Sequence, residues 1–228
     1  MSDIGLLNEK PLHASLKDWY TKQGDQVEVS VNGFVIDIVQ DDILVEIQTG
    51  SFSSIKSKLA DLVQTHRIRL VYPVALEKWI IKRVDDAVKD DYRRKSPKKG
   101  RVEDLFSELV SFPQLLMNPN FTVEVLLIRE EEIRRFDEKQ NWRRKGWGIE
   151  ERRLLEVLDR KLFEGPADWR ELIPESIRES FTAKELASAA GIRNPLAQKM
   201  SYCLRKAGVI ELVGKKGRAN LYEMCGDL

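Results

Sequence analysis

The sequence predicts an α/β protein, with a mixed sheet flanked by helices over residues 1–130 and a small helix-turn-helix unit with a β-hairpin over residues 149–228. Three observations carry this. Period-two segments meet at Asn32-Gly33; helical spacing alternates with strand-like runs as far as Ile128; and Thr182 to Glu223 reads as helix, turn, helix, hairpin.

Taken in order, Asn8 caps a first helix with Pro11 in its opening turn. Leu12, Leu16, Trp19 and Tyr20 recur at helical spacing until Gly24. Val27 to Val31 alternates, Asn32-Gly33 supplies a two-residue turn, and Phe34 to Val39 returns. Asp41-Asp42 makes the next turn before a third strand, Ile43 to Gln48. A second helix presents Ile55, Leu59, Leu62 and Val63 on one face and Lys56, Lys58 and Asp61 on the other. Arg67 to Val74 is a strand, 83–101 a charged loop, Val102 to Val110 a short helix and Phe121 to Ile128 a strand. Residues 131–148 are almost continuously charged and read as a linker. Glu150 to Phe163, with Leu154, Leu155, Leu158 and Leu162, reads as a helix.

Composition narrows the function. The 228 residues are 42% hydrophobic and 33% charged, with 38 Lys+Arg against 37 Asp+Glu, which excludes a disordered chain and a collagen-like repeat. No apolar run approaches the length of a membrane span, and Met1 to Leu7 lacks the pattern of a signal peptide. Two cysteines, Cys203 and Cys225, suit a reducing cytoplasm and match no zinc spacing. The balanced total hides an uneven distribution. Residues 182–222 carry eight bases against two acids, the signature of a polyanionic partner or of a solvated surface.

Strand register then gathers carboxylates. A two-residue loop at Asn32-Gly33 sets Glu28 opposite Asp37, and one at Asp41-Asp42 sets Asp37 opposite Glu46. Like charges directly opposite are destabilising, so a row of three asks for a cause. A divalent cation is the simplest; Mg²⁺ takes one or two carboxylates, with water and phosphate oxygens completing its shell. The alternative is a solvated outer face on which the acids coexist.

Ile36-Asp37, an eight-residue gap and then Glu46-Ile47-Gln48 resemble the PD-(D/E)XK signature of restriction-endonuclease-like nucleases, in its Glu-x-Gln form. The resemblance covers roughly residues 5–82. It implies a restriction-endonuclease-like core, Asp37 and Glu46 as Mg²⁺ ligands (Mn²⁺ serving as well), and Gln48 in the usual lysine position. It also implies an additional ligand from the first helix, for which Glu9 fits and Glu28 is the rival. Ile36 replaces the motif's proline, and uncharged Gln48 can hold a water but not acidify it. Lys56 is a candidate relocated partner, against a solvated helix face. His13 and His66 match no ligand spacing and read as structural or surface residues.

The C-terminal unit resembles a winged helix-turn-helix domain. Thr182 and Glu185 form a capping box, the first helix stops at Gly191, and Asn194-Pro195 opens a second that ends at Gly208. Two strands, Val209 to Val213 and Ala219 to Glu223, flank a basic tip. Gln198, Ser201, Tyr202 and Arg205 form the face expected to enter a major groove, while Lys215, Lys216 and Arg218 would meet phosphates. Leu196, Met200, Cys203, Leu204 and Ala207 form the buried side. The expectation is a cytoplasmic, Mg²⁺-dependent deoxyribonuclease acting on double-stranded DNA, with a homodimer compatible. The competing classes are a non-catalytic DNA-binding regulator and a winged-helix protein adaptor.

Overall fold

A computed structural model describes residues 10–83, 92–136, 146–177 and 179–226. Helix α1 (Pro11–Tyr20) begins at Pro11, whose missing N–H costs nothing in a first turn. It buries Leu12, Leu16 and Tyr20, while Trp19 stays exposed. Asn8 and Glu9 lie outside the described residues.

The hairpin expectation holds for the turn and the register, except that Glu28, expected opposite Asp37, takes a positive φ and is missing from the paired positions. Strands β1 (Gln26–Val31) and β2 (Phe34–Gln40) pair antiparallel as Val31↔Phe34 and Val29↔Ile36 around Asn32 and Gly33, both at positive φ, as a type I′ turn requires. Strand β3 (Ile43–Ile47) pairs with β2 as Gln40↔Ile43 and Ile38↔Val45, through a turn whose first residue, Asp41, also takes positive φ. A 3₁₀ turn (Phe52–Ile55) and α2 (Lys56–Leu62) cross over to β4 (Arg67–Arg83), which runs parallel to β3. Strand β5 (Tyr92–Lys95) folds back onto β4. A 3₁₀ turn, α3 (Phe106–Leu109) and another 3₁₀ turn lead to β6 (Phe121–Phe136), again parallel to β4. Strand β7 (Trp147–Phe163) closes the sheet antiparallel to β6, in the order β1-β2-β3-β4-β6-β7.

Three expectations are corrected here. The segment 83–101 contains a strand, β5, although 84–91 lie outside the described residues. The proposed linker 131–148 is strand wherever it is described apart from Gly146: β6 runs on to Phe136 and β7 starts at Trp147. Glu150 to Phe163 is strand, not helix. Three β-bulges leave Glu150, Leu155 and Leu158 unpaired against β6, and each extra residue shifts the side-chain alternation by one. Period two interrupted this way imitates helical spacing.

Helix α4 (Pro166–Arg170) carries Trp169 against the sheet, stacked on Phe163 with centroids 4.1 Å apart and 6.0 Å from Phe106. After β8 (Phe181–Thr182), the Thr182–Glu185 capping box opens α5 (Ala183–Ala190) as expected, and α6 (Asn194–Lys206) follows. Strands β9 (Ile210–Lys216) and β10 (Ala219–Met224) run further than predicted, leaving a tight turn at Gly217-Arg218. With β8 they make a second sheet, β8-β10-β9.

Apolar side chains fill both faces of the main sheet. Helix α1 covers Ile38, Val45, Ile47, Val71 and Leu126. The opposite face shares one core with α2, α3 and the C-terminal unit, from Phe52 and Leu59 through Trp169 to Met200 and Leu204. The C-terminal unit is thus seated on the sheet rather than tethered to it. No helix among the described residues is long and apolar enough to cross a membrane.

Candidate functional site

The hydrogen-bonded ladder between β2 and β3 reaches Ile38↔Val45 and stops. The next pair in register is Asp37 and Glu46. There the Ile47 N–H donates 2.7 Å to Asp37 Oδ2, so the Asp37 side chain takes up a strand N–H. Ile36 is buried in the α2-side core and Ile38 in the α1-side core. Residues two apart in a regular strand share a face; the strand therefore swivels at Asp37. This separation opens a polar notch beside the apolar cores on the two faces.

Two basic side chains reach the notch from opposite faces. His13 Nε2, on α1, lies 3.2 Å from Asp37 Oδ2. Lys58 Nζ, on α2, donates to Glu46 Oε2 at 2.5 Å and to the Val35 carbonyl at 2.6 Å. Glu46 is 8% exposed. Burial, then the negative charge of Asp37, push its carboxyl up to about 7 against the opposing pull of Lys58 and His13. An ionisable group so displaced, beside a second carboxylate, marks the notch as the candidate site.

The remaining expected residues are dispersed. Glu28 sits at a left-handed φ and its exposed carboxylate meets Lys17 at 2.7 Å. The Gln48 amide donates to the Ser51 carbonyl and to Ser54 Oγ, both at 2.9 Å, and so turns toward the following loop. Lys56 is exposed; the lysine at the notch is Lys58, which helical periodicity had put on the solvent side. Its neighbour Leu59 is fully buried, and a long side chain one position away can lie along that boundary. His13 likewise follows the buried Leu12. Among the described residues, no three of His, Cys, Asp and Glu converge as a metal-binding group; Glu9 falls outside them.

A second polar surface lies on the C-terminal unit. A groove of about 570 Å³ between α6, the start of α5 and the β9–β10 hairpin is lined by Gln198, Tyr202, Arg205 and Arg218. Ser201, expected on this face, is instead fully buried, and its Oγ has no hydrogen-bond partner among the described residues. Its neighbours Met200 and Leu204 are core residues, and the helix is turned far enough to bury Ser201 with them. Lys215 is exposed beyond the groove, while Lys216 is paired with Glu185 at 2.7 Å. Glu185 is held down at about 2 by Lys216 and by the Thr182 backbone and hydroxyl. Burial pushes the Cys203 thiol up to about 12, consistent with core packing.

Two comparisons locate the chain among known proteins. The family model described as a domain of unknown function (DUF8091) matches residues 10–164, the span from α1 to β7. An uncharacterized protein of Treponema pallidum (strain Nichols) is 30% identical over 221 residues, covering 96% of this chain and 86% of the relative. No solved structure matches. With a match over more than half its length, the chain belongs to the DUF8091 family.

Proposed function

We propose that this chain is a metal-dependent nuclease that hydrolyses DNA phosphodiester bonds, with α5, α6 and the β9–β10 hairpin acting as a winged-helix grip on the duplex. The supporting observation is the convergence of Asp37, Glu46, Lys58 and His13 where β2 and β3 separate. Sheet order adds to it, with antiparallel β1-β2-β3, a helical crossover to parallel β4, and α1 and α2 on opposite faces. For the C-terminal unit the support is the order β8-α5-α6-β9-β10, with β8 paired to β10.

The donor set suits Mg²⁺ or Mn²⁺. Two adjacent carboxylates are what Mg²⁺ asks of a protein, and the like-charge cost between Asp37 and Glu46 is what a dication would offset. Asp37 and Glu46 would hold the ion, with Glu9 the candidate third donor. When bound, the ion supplies Lewis-acid stabilisation and a more acidic water. His13 and the Ile47 N–H hold Asp37 in orientation. Lys58, fixed by the Val35 carbonyl, offers its ammonium to the attacking water or to the scissile phosphate, the part that Gln48 cannot play. Two unbridged cysteines suit a reducing cytoplasm.

The test is nicking of plasmid DNA across a Mg²⁺ and Mn²⁺ series. Cleavage should appear with metal and vanish in Asp37→Ala and Lys58→Ala; undiminished cleavage in both variants removes the assignment. One observation favours the regulator as second reading: the Gln48 amide is already committed to Ser51 and Ser54. Salt-dependent DNA binding with no cleavage in any metal, and no Asp37-dependent Mg²⁺ binding by calorimetry, would select it.

A further inference from the structure

A cavity of about 360 Å³ opens where β4, β6 and β7 meet the loop 96–101 and the residue before α6. Its walls bear five cations: Lys78, Lys98, Arg134, Arg152 and Arg193. Behind three of them lie the buried carboxylates Glu130 and Glu132. Lys78 bridges both, at 2.9 and 2.7 Å, Arg152 meets Glu130 at 2.6 Å and Arg134 meets Glu132 at 2.6 Å. Those three bases therefore face two acids. Lys98 and Arg193 form no ion pair among the described residues, and Asp104, which accepts from the Arg101 N–H at 3.1 Å, is the acid on the wall. The surplus is positive.

The loop that carries Lys98 is held rather than free. The Ser96 N–H donates to the Lys78 carbonyl and the Gly100 N–H to the Ala75 carbonyl, both at 2.8 Å. A Cβ at Gly100 would come within 2.6 Å of that Ala75 oxygen, so glycine permits the close seat. The cavity continues past the loop, and one of its arginines reaches back toward the end of β3. Inward, Arg152 Nη1 donates to the Thr49 carbonyl at 3.2 Å, two residues past Ile47, whose N–H meets Asp37. Outward, an adjoining hollow of about 410 Å³ shares Lys98 and Arg193, adds Lys99, and reaches Leu196 in the first turn of α6.

We infer that this cavity is a phosphate-binding track that carries one nucleic-acid backbone from the α6 groove to the Asp37–Glu46 notch. The inference rests on the nucleic-acid reading above and adds to it the residues that join its two halves. Lys98, Lys99 and Arg193 receive backbone phosphates, and the Glu-tethered Arg152 and Lys78 line the way inward. Such contacts are sequence-independent and salt-sensitive.

The experiment is fluorescence anisotropy of the full chain with a labelled duplex over a salt series, on wild type, Lys98→Glu and Arg193→Glu. Lys22→Glu, beyond the end of α1 and away from this cavity, is the control. Each track variant should weaken binding about tenfold and lower the salt slope by roughly one, since one phosphate contact is lost, whereas the control should barely move. Wild-type binding that neither track variant weakens more than the control overturns the track and leaves the DNA reading standing. A wild-type chain that binds no duplex overturns both.

Discussion

Glu46 at the end of β3 and the Glu130–Glu132 pair in β6 are all withdrawn from water, but they face different neighbours. Glu130 and Glu132 are met by Lys78, Arg134 and Arg152. Burial pushes Glu132 up, yet its bonds to Lys78 and Arg134 outweigh this and hold the carboxyl below its usual range. Glu46 has one lysine and, beside it, the like charge of Asp37, and is driven the other way. Burial alone does not decide which way a carboxyl shifts; the balance of charge around it does. The first cluster uses its electrostatics to hold long strands together, while the second keeps two carboxylates side by side in a largely buried site.

That contrast makes exchangeable substitutions informative. Glu46→Gln should reduce metal-dependent cleavage by about 10²-fold or more while the fold persists, the scale of a lost catalytic proton-transfer or ligand group; plasmid nicking beside thermal melting reads both. Glu130→Ala should do the reverse. It leaves Lys78 and Arg152 facing an emptied buried position and should cost about 3 kcal/mol or more of stability in urea titration. If Glu46→Gln unfolds the chain and Glu130→Ala does not, the distinction fails.

The pH dependence follows from the sign of the shift. Folded Glu46, near 7, binds its proton more tightly than the unfolded carboxyl near 4.5, so this residue's contribution favours the fold at low pH and is lost as pH rises between those values. Melting of wild type against Glu46→Gln from pH 4 to 8 should show the variant gaining relative to wild type with rising pH. A constant difference would mean that Glu46 is an ordinary carboxylate.

Smaller effects belong to the surface. Arg205→Ala, in the α6 groove, should cost about 1–3 kcal/mol of duplex affinity if it reads a base edge, measured by anisotropy. Glu28→Ala removes an exposed partner of Lys17 and should change stability by less than about 1 kcal/mol. A large loss of cleavage there would return Glu28 to the metal shell.

Much of this was legible residue by residue. Asn32-Gly33 and Asp41-Asp42 announced the hairpins and hence the register that brings Asp37 to Glu46, because tight turns leave no freedom in pairing. Thr182 with Glu185 announced one helix through a capping box within one turn; Pro195 announced the next through its preset φ, although Arg193 rather than the expected Asn194 takes the N-cap and makes no side-chain cap bond. Residues 150–163 misled because three bulges in β7 turned period two into helical spacing, and no residue within that strand reveals that its partner is β6. Residues 131–136 looked like a linker because Glu131 and Glu132 find bases on β5 and β4, and Arg135 an acid on β7, far away in sequence. Lys58 and Lys56 were indistinguishable along α2 until the seating of the helix chose one.

Local chemistry, then, was enough for the turns, the caps and the order of elements, since those depend on neighbours within a few positions. Which lysine meets Glu46, that Ser201 is buried, and that Glu130 and Glu132 are met by three bases were settled by packing. Each depends on groups tens of residues away along the chain, brought close when the helices seat on the sheet and exclude water from the polar atoms between them.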